Sequence, residues 1–239
     1  MTMKTRRLYS ALILSMALLT FPSCEGLFEG VYDEYEEEVA ETVESTTEID
    51  DGTTPVDEGY GFIEANDNSG TVYINSTDYY TWTLIDFHNL RCTYITIDSE
   101  TLEDPFTDDM VWDIACHRWD VRTNGGAGLE TSYTSLDQVT SIPTGTYVED
   151  EWTTETISAD MSNMMSGDIG YAEGYVNFEL SKWMDVDTNN MPPTYTPSNL
   201  VYSVQMSDGT YAAIILADYL KTGSTTKGYL TIDYIYPIE

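Results

Sequence analysis

Hydrophobic and polar residues alternate with a period of two over much of the chain from about residue 70 onward. Thr71-Val-Tyr-Ile-Asn75, Tyr80-Thr-Trp-Thr-Leu-Ile85 and Cys92-Thr-Tyr-Ile-Thr-Ile97 each place one apolar face against one polar face, which predicts half-buried strands. Further strands are predicted over Val111–Val121, Gly174–Glu179, Leu200–Gln205, Tyr211–Leu220 and Tyr229–Tyr236. Asp208-Gly209 predicts a tight hairpin, and the small polar run Gly223–Lys227 joins the last two strands. Ser158–Ser166 is the one short stretch with a helical reading, and its Ser and Asn argue against it. These elements predict an all-β, mostly antiparallel domain over residues 60–239.

The pattern changes upstream. Lys4, Arg6 and Arg7 precede an apolar run from Leu8 to Phe21, then Pro22-Ser23-Cys24, which reads as a secretory signal over residues 1–23. The run is too short to span a bilayer. A cysteine directly after the cut resembles a bacterial lipoprotein signal, with Cys24 as the acylated residue and the membrane contacted through a lipid anchor. From Glu25 to Glu58 there are fourteen acidic residues and no Lys or Arg, so residues 24–59 read as an acidic, disordered tether.

Composition excludes one class of partner. The formal charge is −33, from 42 acidic and 9 basic residues, and the signal removes three of the basic ones. Such a surface repels nucleic acid and anionic head groups. The two histidines, His88 and His117, form no close metal-binding motif, and no nucleophile–base pair or phosphate-binding glycine loop appears. Asp185-Val-Asp-Thr-Asn189 opens like a calcium loop but lacks its Gly and closing Glu. Arg118, Asp120 and Arg122 alternate with Trp119 and Val121 and read as a charge ladder on one strand face. Cys92 and Cys116 form an even pair in an exported chain, compatible with a disulfide or with two buried thiols.

Methionine is placed unusually. Met161, Met164, Met165, Met184 and Met191 are five of the ten methionines, and several sit among Ser, Asn, Gly and Pro, where a thioether gains little from burial. Two of these sulfurs are expected to meet across a pocket and hold a ligand.

The string Val111-Trp-Asp-Ile-Ala-Cys-His-Arg-Trp-Asp-Val-Arg-Thr-Asn-Gly-Gly126 resembles the signature of the HmuY family of haem-binding lipoproteins of Bacteroidota. Thr71–Trp82, Ile142-Pro-Thr-Gly, Pro193-Thr-Tyr195, Ala217-Asp-Tyr219 and Thr231–Pro237 follow in family order, so the resemblance covers about residues 70–239. It implies a non-enzymatic, haemophore-like protein that grips haem b through two axial side chains. Such a protein takes haem from host haemoproteins and passes it to a TonB-dependent receptor. It is lipid-anchored at the outer membrane, at the cell surface or shed. Some members use two histidines, one in the region matching 160–166 and one before Pro-Thr-Tyr. This chain has methionines there and resembles the subgroup with two methionine ligands, which implies Met191 with Met165, and Met164 or Met161 as alternates. His117 resembles a structural core residue of the signature. The alternatives are a glycan-binding surface lipoprotein, with Tyr and Trp lining a sugar platform, or an adhesin without a small ligand.

Overall fold

The computed structural model describes residues 61–188 and 192–239. The expected signal peptide, Cys24, the tether and Met191 lie outside the described residues. Strands follow in the order β1 (Gly61–Asn66), β2 (Ser69–Asn75), β3 (Thr81–Asp86), β4 (Arg91–Thr96), β5 (Ile114–His117), β6 (Asp120–Thr123), β7 (Ala127–Glu130) and β8 (Val148–Glu149). The second half adds β9 (Glu151–Asp160), β10 (Gly170–Val176), β11 (Met184–Asp187), β12 (Thr194–Pro197), β13 (Tyr202–Gln205), β14 (Tyr211–Leu220) and β15 (Lys227–Ile235). Every pairing is antiparallel. The helical segments described are short 3-10 turns, and none is long and apolar enough to cross a membrane.

A seven-stranded sheet runs β1-β2-β15-β14-β13-β7-β8, and a four-stranded sheet runs β4-β3-β5-β6. The hairpins β9/β10 and β11/β12 are separate two-stranded ribbons. The main core joins residues of both large sheets, among them Val72, Ile85, Ile114, Val204, Ile214 and Ile232, with Trp183 buried beside them. These are the inward positions of the alternating runs. A second core packs Trp82, Leu84 and Trp112 against Ile157, Ala159 and Ala172 of the β9/β10 ribbon.

Several expectations shift in detail. Val111–Val121 is not one strand: a tight turn at Arg118-Trp119 divides it into β5 and β6. Arg118 has φ 52°, a left-handed conformation that ends the extended run. The charge ladder therefore does not exist as a solvated strand face. Arg118, Asp120 and Arg122 are all buried, and Arg122 Nη1 pairs with Asp104 Oδ1 at 2.9 Å. The strand expected over Gly174–Glu179 lies earlier, at Gly170–Val176, because Asn177 turns the chain, its side chain accepting from Leu180 N. Ser158–Ser166 is the end of β9 followed by a 3-10 turn, Met164–Ser166. Asp208-Gly209 makes the expected hairpin, with Gly209 at φ 88°.

Cys92 and Cys116 are both free and buried. They lie on β4 and β5, either side of β3, opposite Ile85 and Thr83. Two strand spacings amount to about 10 Å, too far for a disulfide. Burial pushes the Cys116 thiol up to about 12, so it is an unreactive core residue.

Candidate functional site

One end of the molecule is organised by the β5–β6 turn. His117 precedes the turn and is fully buried; its Nε2 lies 2.7 Å from Tyr79 O and its Nδ1 3.4 Å from Asp120 Oδ2. Both nitrogens therefore face protein partners, as expected of a structural histidine. Burial raises the Asp120 carboxyl above its ordinary range, opposed by the His117 hydrogen bond and the charges of His117 and Arg118. Arg118 turns away from the strand. Its Nη1 donates to the carbonyls of Ser76 and Thr77, and its guanidinium lies 4.3 Å from the Tyr79 ring centroid and 5.9 Å from that of Tyr219. Ser76 and Thr77 follow β2 of the large sheet, so Arg118 ties the two sheets together at this end.

Around Arg118 stands a wall of aromatic rings. Trp119 and Tyr195 are half-buried, with centroids 5.7 Å apart, and Tyr219 lies 5.3 Å from Tyr195 and 6.3 Å from Trp119. Trp183 Nε1 donates to Trp119 O at 2.8 Å and fixes the start of the β11/β12 hairpin against the turn. Lys227, at the start of β15, secures the far part of that hairpin. Its Nζ donates to Pro193 O at 3.2 Å and lies 4.4 Å from the Tyr195 ring. Lys221 lies 5.4 Å over Tyr229, which stacks on Tyr73. Three of the six basic residues left after the signal thus gather at this end of a strongly acidic chain.

The methionine-rich loop reaches the same end by another route. β9 and β10 pair from Glu151↔Val176 to Asp160↔Gly170, and Met161–Ile169 joins them. Gly170 approaches Leu102, which follows β4 and packs on the second core with Tyr80, just before β3. The start of β3, the end of β4 and the β5–β6 turn share one end through the register Thr83↔Cys116 and Trp82↔Ile95. In this loop Met165 is 69% exposed, whereas Met161 and Met164 are half-buried. Met164 and Met165 begin a 3-10 turn that Gly167 closes at φ 77°. Met184 is buried in the main core. Met191 belongs to the β11/β12 connection and lies outside the described residues.

Reading the sequence as a ladder hid Arg118 and Trp119, and it gave Lys227 no role. Their signal was present in Pro193-Thr-Tyr195 and Ala217-Asp-Tyr219, which supply the rings they pack against. Two surface cavities, of about 590 and 220 Å³, lie at the opposite end around Asn66–Asn68 and Leu90, and neither includes a methionine of the loop.

Among curated proteins, none matches this chain. Solved structures do. A Bacteroides fragilis protein described as a lipoprotein is 45% identical, with a TM-score of 0.70 over 76% of this chain and 97% of that one. A Bacteroides vulgatus protein described as HmuY-like and haem-binding is 51% identical, with a TM-score of 0.68 over 75% of this chain and 99% of that one. The apo HmuY analogue of Tannerella forsythia shares the fold at 24% identity, with a TM-score of 0.60 over 73% of this chain and all of its own. The HmuY protein family matches residues 78–234, a span that holds the β5–β6 turn, the methionine loop and the aromatic wall, and this chain belongs to that family.

Proposed function

We propose that this protein is a haem-binding, haemophore-like lipoprotein that holds haem b between Met165 and Met191 at the Arg118 end. The observation that carries the reading is Met165: a large apolar side chain, 69% exposed, on a loop at the end where Trp119 and Tyr195 offer flat, half-buried rings. A tetrapyrrole is flat and apolar in its body and anionic at its propionates. The rings suit its body, and Lys221, Lys227 and tyrosine hydroxyls suit its edge. Thioether is a soft neutral ligand that favours ferrous iron, so the bound haem has a higher reduction potential than with two imidazoles. It also carries no titrating proton, so mild acid leaves the ligation intact.

On this reading residues 1–23 are a signal peptide, Cys24 carries the lipid, 24–59 tether the domain at the outer-membrane surface, and 60–239 bind haem without catalysis. Haem comes from host haemoproteins and passes to a TonB-dependent receptor.

Haemin titration followed by absorbance, oxidised and then dithionite-reduced, tests the proposal. Sharp low-spin ferrous bands are expected in the wild type and lost in Met165→Ala plus Met191→Ala. Bands that persist in the double variant reject these ligands and turn the test to Met164 and then Met161. Absence of any spectral change in either redox state sinks the haem reading.

A glycan-binding alternative has one observation in its favour. Trp152, Tyr171 and Tyr175 are exposed on the β9/β10 ribbon, with Trp152 and Tyr175 edge-to-face at 5.1 Å. Retention on a glycan array without haem binding favours that reading.

A further inference from the structure

The end opposite Arg118 holds a second chemical cluster. His88, in the β3–β4 turn, is 40% exposed and is met by side chains from three distant parts of the chain. Its Nδ1 lies 3.3 Å from Asp113 Oδ2, ahead of β5. Its Nε2 lies 3.0 Å from Asp208 Oδ2, in the β13–β14 hairpin, and also meets the Tyr236 hydroxyl after β15. Asp86, at the end of β3, completes a triad: one ligand atom each from Asp86, His88 and Asp113 lie within 4.8 Å of one another.

Three carboxylates therefore surround one imidazole. Among the described residues no Lys or Arg forms an ion pair with Asp86, Asp113 or Asp208, although Arg91 stands opposite Asp86 in the β3–β4 register. Asp86 is buried, and its two oxygens accept from Asn89 N and Nδ2. Asp113 accepts from Phe87 N at 2.7 Å. Each carboxylate is thus held in place by the backbone turn, with lone pairs beyond those bonds.

The geometry points to a binding site for a first-row divalent transition cation, ligated by His88 Nδ1, Asp113 and Asp86. The donor set decides the class. Calcium and magnesium prefer all-oxygen shells, whereas one imidazole nitrogen with two carboxylates suits Zn²⁺ and its neighbours. The other side of the ring fits the same role. Metal-bound imidazoles commonly give their remaining N–H to a carboxylate, which sets the tautomer and orients the ring. Asp208 stands in that position at Nε2, assisted by Tyr236. The roughly 220 Å³ cavity lined by His88, Tyr236, Asp67 and Asn68 opens beside the ring. This site is separate from the haem end and does not depend on it.

Calorimetric titration of the haem-free full chain with ZnCl₂, in excess Ca²⁺ to occupy acid-only sites, tests the inference. One saturating equivalent of Zn²⁺ is expected. His88→Gln and Asp113→Asn should each weaken it at least tenfold, and Asp208→Asn about tenfold, the effect of removing an outer-shell partner. His88 is exposed, so His88→Gln leaves the fold intact, which circular dichroism verifies. No saturable binding by the wild type, or binding unchanged in His88→Gln, overturns the proposal.

Discussion

Arg118 couples the sheets through hydrogen bonds rather than through apolar contact, and that makes it sensitive to conservative change. Arg118→Gln keeps much of the stem but loses the charged donation to Ser76 O and Thr77 O. Donation from a charged group contributes about 1.5–3 kcal/mol, so a loss of about 2–3 kcal/mol is expected in urea unfolding. A similar loss is expected for Arg118→Lys, because an ammonium cannot reproduce the planar stacking on Tyr79. His117 was legible as a core residue because its neighbours in sequence form the family signature. His88 was not legible. Its partners Asp113, Asp208 and Tyr236 stand 25, 120 and 148 residues away, and only the closed sheets bring them together.

At the scale of elements, the alternating runs gave β2, β3, β4, β13, β14 and β15, because each puts at least one apolar side chain into the main core. β9 escaped the same reading. Only Ile157 and Ala159 of its ten residues are buried, so its first half carries no apolar period. β7 is short and begins in a glycine-rich stretch whose role is steric. A Cβ at Gly126 would stand 2.2 Å from Gln205 O, a backbone atom of the paired strand that cannot step aside. Gly126→Ala is expected to separate β7 from β13 and cost about 3 kcal/mol, the upper part of the overpacking range. At Gly128 the obstacles are the buried Leu180 and Asn177 side chains rather than backbone, at 2.5–2.8 Å, so Gly128→Ala should also destabilise but cost somewhat less. Parallel thermal melts of the two variants check the order. The methionine loop was visible as a composition anomaly, but its Arg118 neighbourhood was not, since a turn inside an alternating string leaves no mark on the period.

For the molecule as a whole, the ionisable groups point toward acid tolerance. Asp113, Asp120 and Asp150 are raised above the ordinary 3.8, chiefly by burial. His88 is raised above 6.5: partial burial works against its charge, but Asp208 and Asp113 outweigh it. In each case the fold favours the protonated form. The His88 contribution is fully present below about pH 6.5 and is lost as pH rises through its raised value. The carboxylate contributions are likewise lost as pH rises through theirs. Asp208 is lowered by bonds from Thr210, and its opposing contribution is lost only below 3.8. Melting temperature should therefore hold or rise from pH 7.5 to pH 5, and the rise should shrink in His88→Gln. A fall across this window in the wild type contradicts the account.

The direction of β1 has a consequence for how the protein meets its surroundings. Gly61 pairs with Tyr73, whose ring stacks on Tyr229 beside Lys221, so the domain's first strand starts at the Arg118 end. The stretch from Cys24 to Gly61 reaches at most on the order of 120 Å when fully drawn out. On the proposed function, a lipid at Cys24 would hold the Arg118 end toward the membrane and leave the His88 end pointing away.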